Sequence, residues 1–171
     1  SFAEDIRALH GVEDISPIIC RSGIVRKGDE IRGVMFKGSE ADTVRMGARV
    51  PSALAAQLDI HPDDHIQAWF VSDRIKVRKF KVIEIYDSII DSDDGLIIKT
   101  SASDMRRLNG WGDSDASAIE VTLSSSSRDR KSMKTLTQEI NAVIYASPDE
   151  NENGLGALSA SERFPQLFDW L

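Results

Sequence analysis

The chain has 171 residues, 28 Asp and Glu against 21 Lys and Arg, a formal net charge of -7, and 41% hydrophobic with 29% charged residues. That balance describes a globular chain able to bury a real core, as one domain or two small interleaved ones, and excludes an intrinsically disordered one. It also excludes nucleic acid as the main partner, because phosphate binding needs a basic footprint and no Lys/Arg stripe is present.

Taken in order, Phe2, Ile6 and Leu9 recur at helical spacing, with Ser1 placed to cap the helix and Gly11 to stop it. Residues 12 to 25 are rich in β-branched side chains, Lys27-Gly28-Asp29-Glu30 is a turn, and Ile31 to Phe36 return, so residues 12 to 38 read as a hairpin. Gly38 to Asp42 is a polar break and marks a subdomain boundary. Arg45 to Val50 reads as a short strand, and Pro51 opens a helix carrying Ala53, Leu54, Ala55, Ala56 and Leu58.

A turn, His61-Pro62-Asp63-Asp64-His65, leads into the stretch that organises the middle of the chain. Ile66, Ala68 and Phe70 alternate with Gln67, Trp69 and Val71; after the break Ser72-Asp73-Arg74, Val77 to Tyr86 alternates cationic with apolar residues and then turns apolar. The two segments predict an antiparallel hairpin whose second strand enters a core. Asp87 to Gly95 is an acidic loop, Leu96 to Ile98 a short buried strand, and Ser101 with Asp104 a capping-box-like start for a helix that Asn109-Gly110 ends. Trp111 to Ser117 is a second polar break, and Ala118 to Leu123 a half-exposed strand. The serine run 124 to 127 is read as the cap of a helix in which Met133, Leu136, Ile140, Val143 and Ile144 recur at three and four residues. Asp149 to Gly156 is a loop, and Ser159 precedes a last segment that stops on Phe168-Asp169-Trp170-Leu171 while still aromatic, as a tail that docks or continues would.

No catalytic constellation stands out. His61 and His65 flank Asp63 and Asp64, a set that could bind a metal, but Pro62 denies them the helix that would put both imidazoles on one face, so solvated turn residues are the plainer reading. A metal-dependent enzyme centred on His61 and His65 is kept as the reading from a different functional class. Asp91, Asp93 and Gly95 miss the spacing of a calcium loop, and Gly110 with Gly112 lacks the third glycine of a phosphate-binding turn. The single Cys20 lies in an apolar run and reads as an inert thiol, and the densest basic spots, Arg26-Lys27 and Arg128 with Arg130-Lys131, read as solvated ends. No apolar run approaches the roughly 18 residues of a membrane span. No cofactor, metal or catalytic residue is assigned.

Several segments, in order, resemble one family: residues 2 to 9 followed by a strand containing Pro17, the strand 31 to 38, Ser52-Ala53-Leu54-Ala55-Ala56-Gln57-Leu58, Arg78 to Tyr86, Leu108-Asn109-Gly110-Trp111, and Arg163-Phe164-Pro165-Gln166-Leu167-Phe168-Asp169-Trp170-Leu171. This is the periplasmic core domain of FtsX/MacB-like ABC transporter permeases, and the likeness is nearest to the lipoprotein-releasing (Lol) subunits. The resemblance implies an α+β fold in which both chain ends, residues 1–40 and 115–171, build a porter-like α/β subdomain. A smaller Sabre-like α/β subdomain, 41–114, is inserted between them. It implies a domain on the periplasmic side of the inner membrane, set between two membrane spans and not itself an enzyme. Its expected partners are a cytoplasmic ABC ATPase acting through those spans, a second permease subunit, and a lipoprotein or periplasmic partner protein. Lipoprotein release is the expected task, and MacB-like export or FtsX-like regulation through a docked partner is the alternative. The chain departs from the family in three places: only Ser39 to Val50 precede the Ser-Ala-Leu-Ala helix, the hairpin tip at Ser72-Asp73-Arg74 lacks an extended hook, and Asp63-Asp64 stands where relatives commonly have Gly-Asp.

Overall fold

Two hairpins with matching connections build most of the structure, a computed structural model that describes residues 2–87, 96–146 and 155–159. β1 (Val12–Lys27) and β2 (Glu30–Ser39) pair antiparallel across Gly28, whose φ of 61° the tight turn requires. β3 (Gly47–Pro51) then runs into α2 (Ser52–Leu58). The pattern repeats: β4 (His65–Val71) and β5 (Ile75–Tyr86) form a second antiparallel hairpin, followed by β6 (Ile97–Ser101) and α3 (Ala102–Asn109). The two halves interlock, because β3 of the first pairs parallel with β5 of the second, and β6 of the second pairs parallel with β2 of the first.

The β3–β6 and β1–β4 antiparallel pairings complete the circuit, so the strands follow the order β2-β6-β3-β5-β4-β1 and return to β2. Six strands therefore form a closed barrel with no free edge among them. Its interior is filled by side chains that alternate inward: Ile19 and Val25 from β1, Val34 and Phe36 from β2, Ala48 and Val50 from β3, Ile66, Ala68 and Phe70 from β4, Phe80 and Val82 from β5, and Ile98 from β6. Leu54 and Leu58 of α2 and Met105 and Leu108 of α3 add to the same core.

The chain divides into two compact units, one of residues 17–119 and one of residues 1–16 with 120–171. The barrel belongs to the first. The β1–β2 hairpin is thus in the same unit as β3 to β6. In the second unit, α1 (Phe2–Arg7) packs on α4 (Arg130–Tyr145), where Ile6, Ile140 and Ile144 are buried together with Leu9, Ile15 and Val121 around them. Val121 stands on β7 (Ala118–Leu123). The serine run does not cap α4. Ser125–Ser127 form a short 3-10 turn, and the Asp129 carboxylate accepts the Ser132 N–H at 2.9 Å, a charge-assisted cap.

The cap expected for α3 is present: Ser101 Oγ accepts the Asp104 N–H at 3.1 Å, and Gly110 closes the helix at φ 68°. Ser101→Ala is expected to cost about 0.5–2 kcal/mol, read as a lowered urea midpoint at unchanged slope; an unchanged midpoint would show the cap to be idle.

Tyr86, at the end of β5, is half-buried and its hydroxyl donates to the Ile97 carbonyl. Burial pushes its pKa from 10.0 to about 12. Because the folded value is the higher one, the contribution to stability is complete below pH 10 and is lost as pH rises towards 12. A phenolate absorbance titration of the folded chain should show a component near pH 12 that Tyr86→Phe removes.

Candidate functional site

His61 and His65 do not converge on a ligand. His61 lies in the exposed turn, with Nε2 3.5 Å from Asp59 Oδ1 and Nδ1 3.7 Å from Asp64 Oδ2, and His65 is exposed at the first position of β4. Asp64 already has a cation: Lys27 Nζ sits 2.7 Å from Oδ2 and also donates to the Asp59 carbonyl. The Lys27 ammonium, aided by the His61 N–H at 2.9 Å, holds the Asp64 carboxyl below the usual carboxylate range. This pairing stabilises the fold above that range and is lost as pH falls through the lowered value. Among the described residues no three His, Cys, Asp or Glu side chains group as a metal site.

The turn itself is well determined. Asp63 takes φ 70°, the left-handed conformation that glycine adopts most readily, its N–H donates to Val82 O at 2.8 Å, and Val82 N–H returns to Asp64 O at 2.8 Å. An aspartate therefore holds this turn in a left-handed conformation.

Cys20 is half-buried on β1 with its N–H bonded to Ser117 Oγ at 3.0 Å, a structural position. Trp111 is exposed beyond α3, and its N–H donates to Arg106 O at 2.9 Å. The acidic loop holding Asp91, Asp93 and Asp94 and the terminal segment holding Trp170 lie outside the described residues. Among those residues, no helix is long and apolar enough to cross a membrane.

What the strands do assemble is an apolar strip on the outer face of the barrel. Ile24 of β1, Trp69 of β4 and Val77 of β5 are direct cross-strand partners, and the Val71–Ile75 pair lies two residues farther along the β4–β5 ladder on the same face. Val71 and Ile75 are each 65% exposed and Val77 45%, too much apolar surface on adjacent strands to be incidental. One step towards the other end, Arg26, Gln67 and Lys79 line up across the same three strands, and the Arg26 guanidinium lies 6.0 Å from the Trp69 ring centre. The face can bury surface against an apolar, acidic-rimmed partner. The alternation of β5 hinted at it, but β1–β4 pairing, which brings Ile24 to Trp69, left no signal in the sequence.

No protein-family model matches the sequence, and no curated protein matches it. Solved structures do. The extracellular domain of the noncanonic ABC-type transporter YknZ from Gram-positive bacteria superposes with a TM-score of 0.52 at 12% identity, covering 86% of this chain and 82% of that one. The periplasmic region of MacB from Actinobacillus actinomycetemcomitans gives a TM-score of 0.46 at 15% identity, covering 91% and 83%. The fold is α+β, of the kind seen in the YknZ extracellular domain.

Proposed function

We propose that this chain is the extracytoplasmic domain of an ABC transporter permease, held on the periplasmic side of the inner membrane and coupling movement driven by a cytoplasmic ATPase to extraction or transfer of a substrate. The observation that carries this reading is the likeness to the YknZ extracellular domain over most of both chains. In such a permease the domain moves as rigid bodies when the membrane spans change arrangement. The porter-like role, for residues 1–40 with 115–171, and the Sabre-like role, for residues 41–114, rest on the resemblance alone. Release of lipoproteins, in company with a second permease subunit, is the specific task we favour, on the order of the segments shared with that family.

The test is the full-length gene product. Reporter fusions should place this segment outside the cytoplasm, between the first and second of four spans; a native polypeptide without flanking spans would overturn the reading. Purification from membranes then separates the tasks, since bound lipoprotein supports release. The apolar strip around Trp69 favours a second reading, export or regulation through a docked periplasmic protein. For that reading, Trp69→Ala and Val77→Asp should each abolish capture of the partner without altering the far-ultraviolet circular dichroism.

A further inference from the structure

The face of β5 opposite the apolar strip carries Lys76, Arg78, Phe80 and Val82 in alternation, and only the last two are buried. Lys76 Nζ donates to the Leu108 carbonyl at 2.6 Å, at the end of α3. Between α3 and β5 lies a pocket of about 240 Å³, just under the roughly 300–1,000 Å³ of pockets that take drug-sized molecules. It is lined by the partly exposed Met46, by the buried Phe80, Met105 and Leu108, and by three arginines, Arg45, Arg78 and Arg107.

Charge does not balance there. The one carboxylate of the pocket, Asp104, is buried; it accepts the Met46 N–H at 2.7 Å and pairs with Arg107. Arg78 bonds only the carbonyl of its neighbour Val77, at 2.9 Å, and among the described residues neither Arg78 nor Arg45 has a carboxylate partner. Two exposed guanidiniums at one pocket thus have no carboxylate partner among the described residues. The wall is also held in place: Met46 sits at φ 53°, unusual for a side-chain-bearing residue, and is fixed there by the Asp104 carboxylate on its N–H and by Lys81 N–H on its carbonyl at 2.9 Å.

We propose that this pocket binds a small amphipathic anion, a phosphate or carboxylate joined to a short apolar body, with Arg45 and Arg78 forking onto the anion and the body lying on Met46 and the arginine stems, over the buried Phe80 and Met105. Guanidinium groups suit this role because they remain charged and present paired donors to such oxygens, while thioether and aromatic walls adapt to an apolar chain. The inference stands on the pocket alone and is independent of the transport reading.

Octyl phosphate below its micellar concentration is the probe, with inorganic phosphate and octanol as half-ligands, followed by the methyl resonances of the four methionines. The expected result is movement of Met46 and Met105 with Met35 and Met133 still, and binding at least about tenfold tighter than either half-ligand, weakening as salt is raised. The double variant Arg45→Gln, Arg78→Gln, at two exposed positions, should lose about tenfold or more in affinity with an unchanged urea midpoint, and Arg74→Gln at the hairpin tip should bind normally. Equal binding of inorganic phosphate reduces the site to a charged patch, equal binding of octanol to an apolar dent, and equal weakening by Arg74→Gln to diffuse attraction; each overturns the proposal.

Discussion

Phe36→Ala is expected to destabilise the barrel unit by about 3–5 kcal/mol, a large share of the roughly 5–15 kcal/mol typical of a folded domain. Phe36 is fully buried at the centre of an aromatic cluster drawn from three strands. Its ring centre lies 4.8 Å from that of Phe70 and 5.5 Å from that of Phe80, so truncation removes the contact that joins β2 to β4 and β5 across the interior. Gly23 offers no side chain that could close the gap: a Cβ built there would already lie 3.0 Å from the Phe36 ring and 3.1 Å from that of Phe70. Urea unfolding followed by circular dichroism measures the loss, with Ile31→Ala, at a 58% exposed position, as the comparison expected within about 0.5 kcal/mol. If both variants unfold at the parental midpoint, the barrel does not have this interior.

Gly38→Val should cost about 1–3 kcal/mol through overpacking. Gly38 lies on β2 where it pairs with Thr100 of β6, beneath α3. A Cβ there would meet Met105 Cγ at 2.7 Å and the Ser101 carbonyl oxygen at 3.0 Å. The methionine can turn aside. The carbonyl cannot, because Ser101 is fixed both by its pairing with Ser39 and by its capping of α3. Gly33 is the control on the same strand: nothing lies within 4 Å of its missing Cβ, and valine suits an open strand position. Thermal unfolding of the two variants should separate them clearly, and equal melting temperatures would mean that β2 does not run under α3.

The elements visible in the sequence were those whose signal is local. Period-two alternation marked the strand of Ile66 and Phe70, Ser101 with Asp104 announced a cap, and three-and-four spacing located Ile140 and Ile144 on one helix face. Closure of the barrel was not visible, because it depends on which strands meet: Met35 beside Ile97 and Ile24 beside Trp69 are pairings between distant segments that leave no trace in either one. The repeat of hairpin, strand and helix was hidden for a related reason. Val50-Pro51-Ser52 and Thr100-Ser101-Ala102 turn the chain from strand to helix equivalently while sharing few residues. The α4 cap was misplaced because serines are good caps in general, and only the three-dimensional contact reveals that Asp129 takes the position. The candidate surface and the arginine pocket were both illegible, each being assembled from three or more separate segments.

The interlocking of the two halves governs how the molecule can be made. Each hairpin can zip on its own within microseconds, yet neither half can finish, since the strand that follows each hairpin belongs beside the other one. Reaching the native state waits on the encounter of Met35 with Ile97, so refolding should fall in the millisecond-to-second range of non-local topologies rather than the microseconds of its hairpins. Until then β2 exposes a naked rim, and stopped-flow refolding at rising protein concentration should show a growing fraction lost to aggregation before β6 arrives.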